Sequence, residues 1–98
     1  MKTLQKLHLT NIIYLEGDRN YTILHLENGQ KLLSSVNLKR YQADDRLTTF
    51  LRISKSFLLN PIYIENIEKR GIKTIVKLKN KKQVVVSRRR LSVLMNIV

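Results

Sequence analysis

Apolar and polar positions alternate through residues 50–60, FLRISKSFLLN. Leu51, Ile53 and Lys55 share one parity, and Phe50, Arg52, Ser54 and Ser56 share the other. Phe57, Leu58 and Leu59 then form an unbroken apolar run, which Asn60 and Pro61 stop. Period-two alternation is strand behaviour, a continuous apolar run is burial, and Asn-Pro is a turn. The pattern predicts a rigid stem that holds Lys55, set between two hydroxyls, outward as a polar tip. An ordinary strand with one solvated lysine fits the same segment.

The pattern places other elements around this one. Residues 1–10 fit a linker or a first edge strand. Residues 12–15 are a short apolar run, and residues 16–20 (EGDRN) read as a turn-rich loop. Residues 21–26 are rich in strand formers. Asn28 and Gly29 suit a type I′ hairpin turn, because both residues tolerate positive φ, and residues 30–35 return as the partner strand. Asn37 is a candidate N-cap for a short helix over 38–47, with Leu38, Tyr41 and Leu47 on one face. Ile62, Ile64 and Ile67 suggest a strand after Pro61. Residues 72–78 pair with 83–86 across the basic turn Lys79, Asn80, Lys81 and Lys82. Ser87 would cap a closing helix, because Leu91, Leu94, Met95 and Val98 recur at helical spacing. The fold class is mostly β, with one or two short helices.

Length and composition narrow the class. Ninety-eight residues fit a single domain, 1–98, and 43% hydrophobic residues supply a core. There is no cysteine, so no disulfide framework and no cysteine-based metal site can form; the absence fits a reducing cytoplasm. No apolar run approaches the roughly 18 residues of a membrane span. Charge changes the picture more. The net charge is +12, from 19 Lys+Arg against 7 Asp+Glu, and residues 69–98 hold ten basic residues and no acidic one, hence +10 of it. Such self-repulsion asks for a polyanion, with nucleic acid first and an anionic membrane surface second; solubilising charge alone is the plain alternative.

Arg88, Arg89 and Arg90 sharpen that expectation. In the first turn of a helix they oppose the macrodipole, at about 0.3–1 kcal/mol each. A docked phosphate would reverse the sign, because free N–H groups and guanidinium forks would both face an anion. Three solvated arginines splayed from the axis are the alternative. Catalytic chemistry finds little support. His8 and His25 are the only histidines, no HExxH or Gly-rich phosphate loop occurs, and Glu16, Asp18, Glu27, Asp44 and Asp45 sit near turns, where local backbone bonding accounts for them. No enzyme, no metal and no cofactor are expected.

Four segments in order, IIYLEGDRNYTILHL, NLKRYQ, FLRISKSFLLNPIYIENI and VVVSRRRLSVL, make the chain similar to the LytTR DNA-binding domain, the output module of many bacterial response regulators. The resemblance covers about residues 12–94. It departs at Ser54, where the family often has histidine. It implies an elongated arrangement of small antiparallel sheets whose loops enter the major groove of DNA. By position it implies base contacts from Asn20 and Tyr21 in the first loop, from Lys55, and from Arg89. Arg19, Lys39, Arg40, Ser54, Ser56, Lys79, Lys81, Lys82, Arg88 and Arg90 are the expected backbone contacts, while Phe57, Leu59 and Asn60 hold the loop in place. The resemblance also implies paired direct repeats bound by two copies, and a receiver domain if the chain is a piece of a longer regulator. The chemistry agrees: Arg and Lys donate to guanine O6 and N7, and Asn bonds adenine in both directions. RNA binding in a ribosome-associated protein is the other reading of the charge, although only six aromatics are present to stack on bases.

Overall fold

The structure is a computed structural model and describes residues 8–95. Its centre is β1 (Ile12–Asp18), the middle strand of a five-stranded antiparallel sheet. β2 (Tyr21–Leu26) pairs with it on one side and β5 (Phe57–Leu59) on the other. β3 (Lys31–Ser34) and β4 (Leu51–Arg52) are the two edges, in the order β3-β2-β1-β5-β4. Ile12, Ile13, Tyr14 and Leu15 are all buried. A strand buries four successive side chains only when both its faces are covered. A register shift between Ile12 and Tyr14 sends Ile12 and Leu15 into one core and Ile13 and Tyr14 into another.

Helix α1 (Leu38–Gln42) and a 3-10 turn (Asp45–Leu47) close the first core, where Leu38, Tyr41, Leu47 and Phe50 meet Leu15, Leu24 and Leu58. A three-stranded sheet, β6 (Ile64–Arg70), β7 (Lys73–Leu78) and β8 (Gln83–Val85), closes the second together with α2 (Leu91–Met95). There Val76, Leu78, Val84, Val86 and Leu94 pack on Ile13, Tyr14, Leu51, Ile53 and Leu59. The molecule measures 40 × 25 × 22 Å, so the mostly β, elongated arrangement of antiparallel sheets expected from the sequence is present.

Several local expectations change. Residues 50–60 are a hairpin, not one strand: Leu51 faces Leu59, Arg52 faces Leu58, and Ile53 N–H donates to Phe57 O (3.1 Å). The alternation belonged to a two-residue strand and its turn, and the apolar run to the returning arm. Residues 16–20 are mostly strand, since β1 runs to Asp18 opposite Tyr21 and leaves Arg19 and Asn20 as a two-residue turn. The Asn28-Gly29 turn is not type I′: only Gly29 has positive φ, at 87°, and Gly29 N–H closes the turn on Leu26 O at 3.0 Å.

The helix expected over 38–47 divides, because Asp44 Oδ1 accepts from Arg46 N–H (2.9 Å) and begins a separate turn. Asn37 is the N-cap of α1 as expected, its Oδ1 accepting from Arg40 N–H at 2.9 Å. Pro61–Tyr63 is a 3-10 turn, so that strand begins at Ile64. Ser87 makes no side-chain cap, and Arg88–Arg90 form a 3-10 turn leading into α2 rather than its first α-helical turn. Of residues 1–10, Leu9–Asn11 begin a 3-10 turn and residues 1–7 lie outside the described residues, as does Val98 of the closing helix.

Candidate nucleic-acid interface

Arg19 and Asn20 join β1 to β2 at one end of the larger sheet. The β4–β5 hairpin turns at the same end, because Glu16 faces Phe57 and Gly17 N–H donates to Ser56 O (2.7 Å). Helix α1 reaches this end too. Gly17 lets it: a Cβ built there would lie 3.1 Å from both Cβ and Cδ2 of Leu38. Three connections from distant stretches of chain therefore surround one open groove of about 500 Å³, lined among others by Asp18, Arg19, Asn20, Lys39, Lys55 and Ser56.

The hairpin tip is held by a residue the sequence reading passed over. The half-buried Arg52 donates from Nε to Ser54 O (2.7 Å), from Nη2 to Lys55 O, and from Nη1 to Gln42 Oε1 at the end of α1 (2.7 Å). Ser54 Oγ accepts from Ser56 N–H at 3.3 Å. Burial, and then the charge of Arg90, pull the Arg52 guanidinium below its usual range; it remains cationic at neutral pH. Lys55 is exposed, and its ammonium makes no hydrogen bond or ion pair among the described residues. No sequence signal marks Arg52 or Gln42. Their partners are carbonyls and a helix end that come within reach only when residues 50–60 fold back.

The arginine segment adjoins the same hairpin by a backbone bond, Ser87 N–H to Ile53 O (2.8 Å). Arg88 and Arg89 are exposed and Arg90 half-buried. Tyr21 follows Asn20 at the start of β2 and is 51% exposed. Arg40 is exposed on α1. Asn20 and Lys55 thus share one groove with Arg19, Lys39 and Ser56, while Arg89 does not line it and lies two residues beyond Ser87, which is bonded to the hairpin.

Lys79, Lys81 and Lys82 do not join that groove. Lys81 and Lys82 line a second one of about 360 Å³ with Gly29, Gln30 and Lys31, at the opposite end of β2. Lys79 N–H bonds Tyr63 O (2.9 Å), and Lys82 Nζ stands 5.5 Å from the centroid of the Phe57 ring, a cation–π contact. His25 and Tyr14 stack at 4.1 Å beside this second groove. His25 Nε2 lies 2.9 Å from Glu16 Oε1, and an ionised carboxylate only accepts, so the ring nitrogen carries the proton. Burial lowers the His25 pKa, the Glu16 bond and charge oppose this, and Lys31 and Lys82 lower it further.

Asn60 does what its place before Pro61 suggested. It is buried; Nδ2 donates to Ile12 O (2.9 Å) and Leu9 O (3.3 Å), while Oδ1 accepts from Ile62 N–H (3.2 Å). Among the described residues no helix is long and apolar enough to cross a membrane.

The chain was compared with known proteins. A search of curated proteins gave no match. Among solved structures it is similar to a LytTr DNA-binding domain from Bacillus cereus, assigned to a methyl-accepting/DNA response regulator, with a TM-score of 0.80 at 20% sequence identity. The match covers 92% of this chain and 83% of that one. At that identity the likeness concerns the fold. The family comparison goes further, since the LytTr DNA-binding domain matches residues 2–98. This chain belongs to the LytTr DNA-binding domain family.

Proposed function

We propose that this chain is the sequence-specific, double-stranded DNA-binding domain of a bacterial transcription regulator, working in the cytoplasm as a binding module without catalysis. Its loops enter the major groove, where Asn20, Tyr21, Lys55 and Arg89 read base edges. Arg19, Lys39, Arg40, Ser54, Ser56, Arg88 and Arg90 take phosphates around them, and Lys79, Lys81 and Lys82 take phosphates farther along the duplex. Two copies occupy paired direct repeats, and a receiver domain regulates the module where the regulator is longer. One observation carries the reading: Asn20 and Lys55, 35 residues apart in sequence, line a single groove with Arg19 and Lys39, so one duplex could meet them together. Long cationic side chains around a polar groove are suited to phosphates, and Asn and Lys at its rim to base edges.

Selection from a random duplex library tests this by yielding a motif and any repeat spacing. On the selected site Arg89→Ala should cost about 1–3 kcal/mol and blur the motif, while Lys81→Ala should weaken all sequences alike. No enriched motif, or tighter binding to single-stranded RNA than to duplex DNA in competition, would overturn the proposal.

A further inference from the structure

We propose that Arg52 is a positioning residue that sets the aim of Lys55, and so determines specificity through the turn rather than by reading bases itself; the inference rests on the base-reading role given to Lys55 above. The turn Ser54, Lys55 and Ser56 has three carbonyls, and each is tied. Gly17 N–H takes that of Ser56 (2.7 Å), while one guanidinium takes the other two, from Nε and Nη2. The remaining terminal nitrogen reaches Gln42, so the same plane fixes the turn against the end of α1, which also bears Lys39 and Arg40.

A planar fork can bridge two successive carbonyls and a third acceptor at once; an ammonium of equal charge has no such fork. Lys55 needs this support because its own ammonium has no protein partner among the described residues. Its direction is set only by the backbone that carries it. Discrimination between bases requires a donor held in register with O6 and N7, so a loosened turn would leave the charge near DNA while losing the reading. Arg52 lines the same groove as Lys55, but three of its N–H groups are committed to protein acceptors, and Arg90 stands close enough for its charge to be felt.

The test compares Arg52→Lys, Lys55→Ala and the double substitution on the selected duplex and on a random one, with melting temperatures confirming folding. Arg52→Lys keeps the charge. It should leave random-duplex affinity within about twofold and cut the cognate-to-random ratio roughly tenfold. The double variant should discriminate no worse than Lys55→Ala alone. Equal losses on both duplexes, an unchanged ratio, or additive losses in the double variant would overturn the proposal. If instead Lys55→Ala leaves the ratio intact, the base-reading role of Lys55 fails, and the aim assigned to Arg52 with it.

A second measurement needs no DNA. In 15N relaxation the amides of residues 54–56 should be as ordered as the sheet in the native chain and mobile on the nanosecond scale in Arg52→Lys. Unchanged relaxation would overturn the proposal whatever the binding data show.

Discussion

At Arg19 the backbone takes φ 56°, a conformation that glycine adopts freely and other residues adopt at a cost. A two-residue hairpin turn demands it, yet the chain puts a guanidinium there, at the rim of the groove. Arg19→Gly should therefore raise stability, by up to about 1 kcal/mol in urea unfolding, while weakening binding to every duplex. A stability gain with full affinity would separate Arg19 from the interface. His25 supplies a pH signature of the fold. Its pKa is lowered from 6.5 on folding, so the unfolded chain binds more protons near and below that value. The contribution of His25 is fully present above pH 6.5 and is lost as pH falls from there through the lower folded pKa. The native melting temperature should drop between pH 7.5 and pH 5.5, and His25→Gln should flatten that dependence.

Elements meet this site through close approach rather than through propensity. Helix α1 is only five residues long and could not persist alone. It is held by Leu38 and Tyr41, by the bond from Tyr41 OH to Ser34 Oγ (2.7 Å), and by seating against Gly17. Gly17→Ala would push against Leu38 Cβ, which lies on the helix backbone side and cannot rotate away. We expect a loss of about 1–3 kcal/mol in thermal unfolding, as in other overpacked contacts, with Lys39 displaced from the groove. The hairpin of residues 50–60 shows why a pattern is not an element. Phe50, Leu51, Ile53, Leu58 and Leu59 are buried, as both a single strand and a folded hairpin require. Periodicity does not distinguish them where the arms are two and three residues long.

On the scale of the whole molecule, charge is divided between two ends. The groove at the Arg19 end and the one holding Lys31, Lys81 and Lys82 share no lining residue and lie toward opposite ends of β2. The basic C-terminal third therefore supplies two separate places: its lysine turn lines the second groove, with Lys82 against Phe57, and its arginine segment is bonded to the hairpin through Ser87. Under the proposed function these ends meet different phosphates of one duplex. Affinity should fall linearly with salt on logarithmic axes, and Lys81→Ala should reduce the slope by about 0.9, the value of one released counterion. An unchanged slope would place the lysine turn off the DNA.

The sequence by itself determined the class, the charge and the chemistry: strand-forming periods, a +12 net charge, and a lysine, an asparagine and three arginines with donors suited to an acidic groove. These depend on residue type and local order, which a one-dimensional pattern carries in full. Tertiary structure decided the rest, because it depends on contacts between residues far apart in the chain. Only the folded sheet brings Asn20 beside Lys55, separates the lysine turn from them, and lets the carbonyls of a tight turn find Arg52.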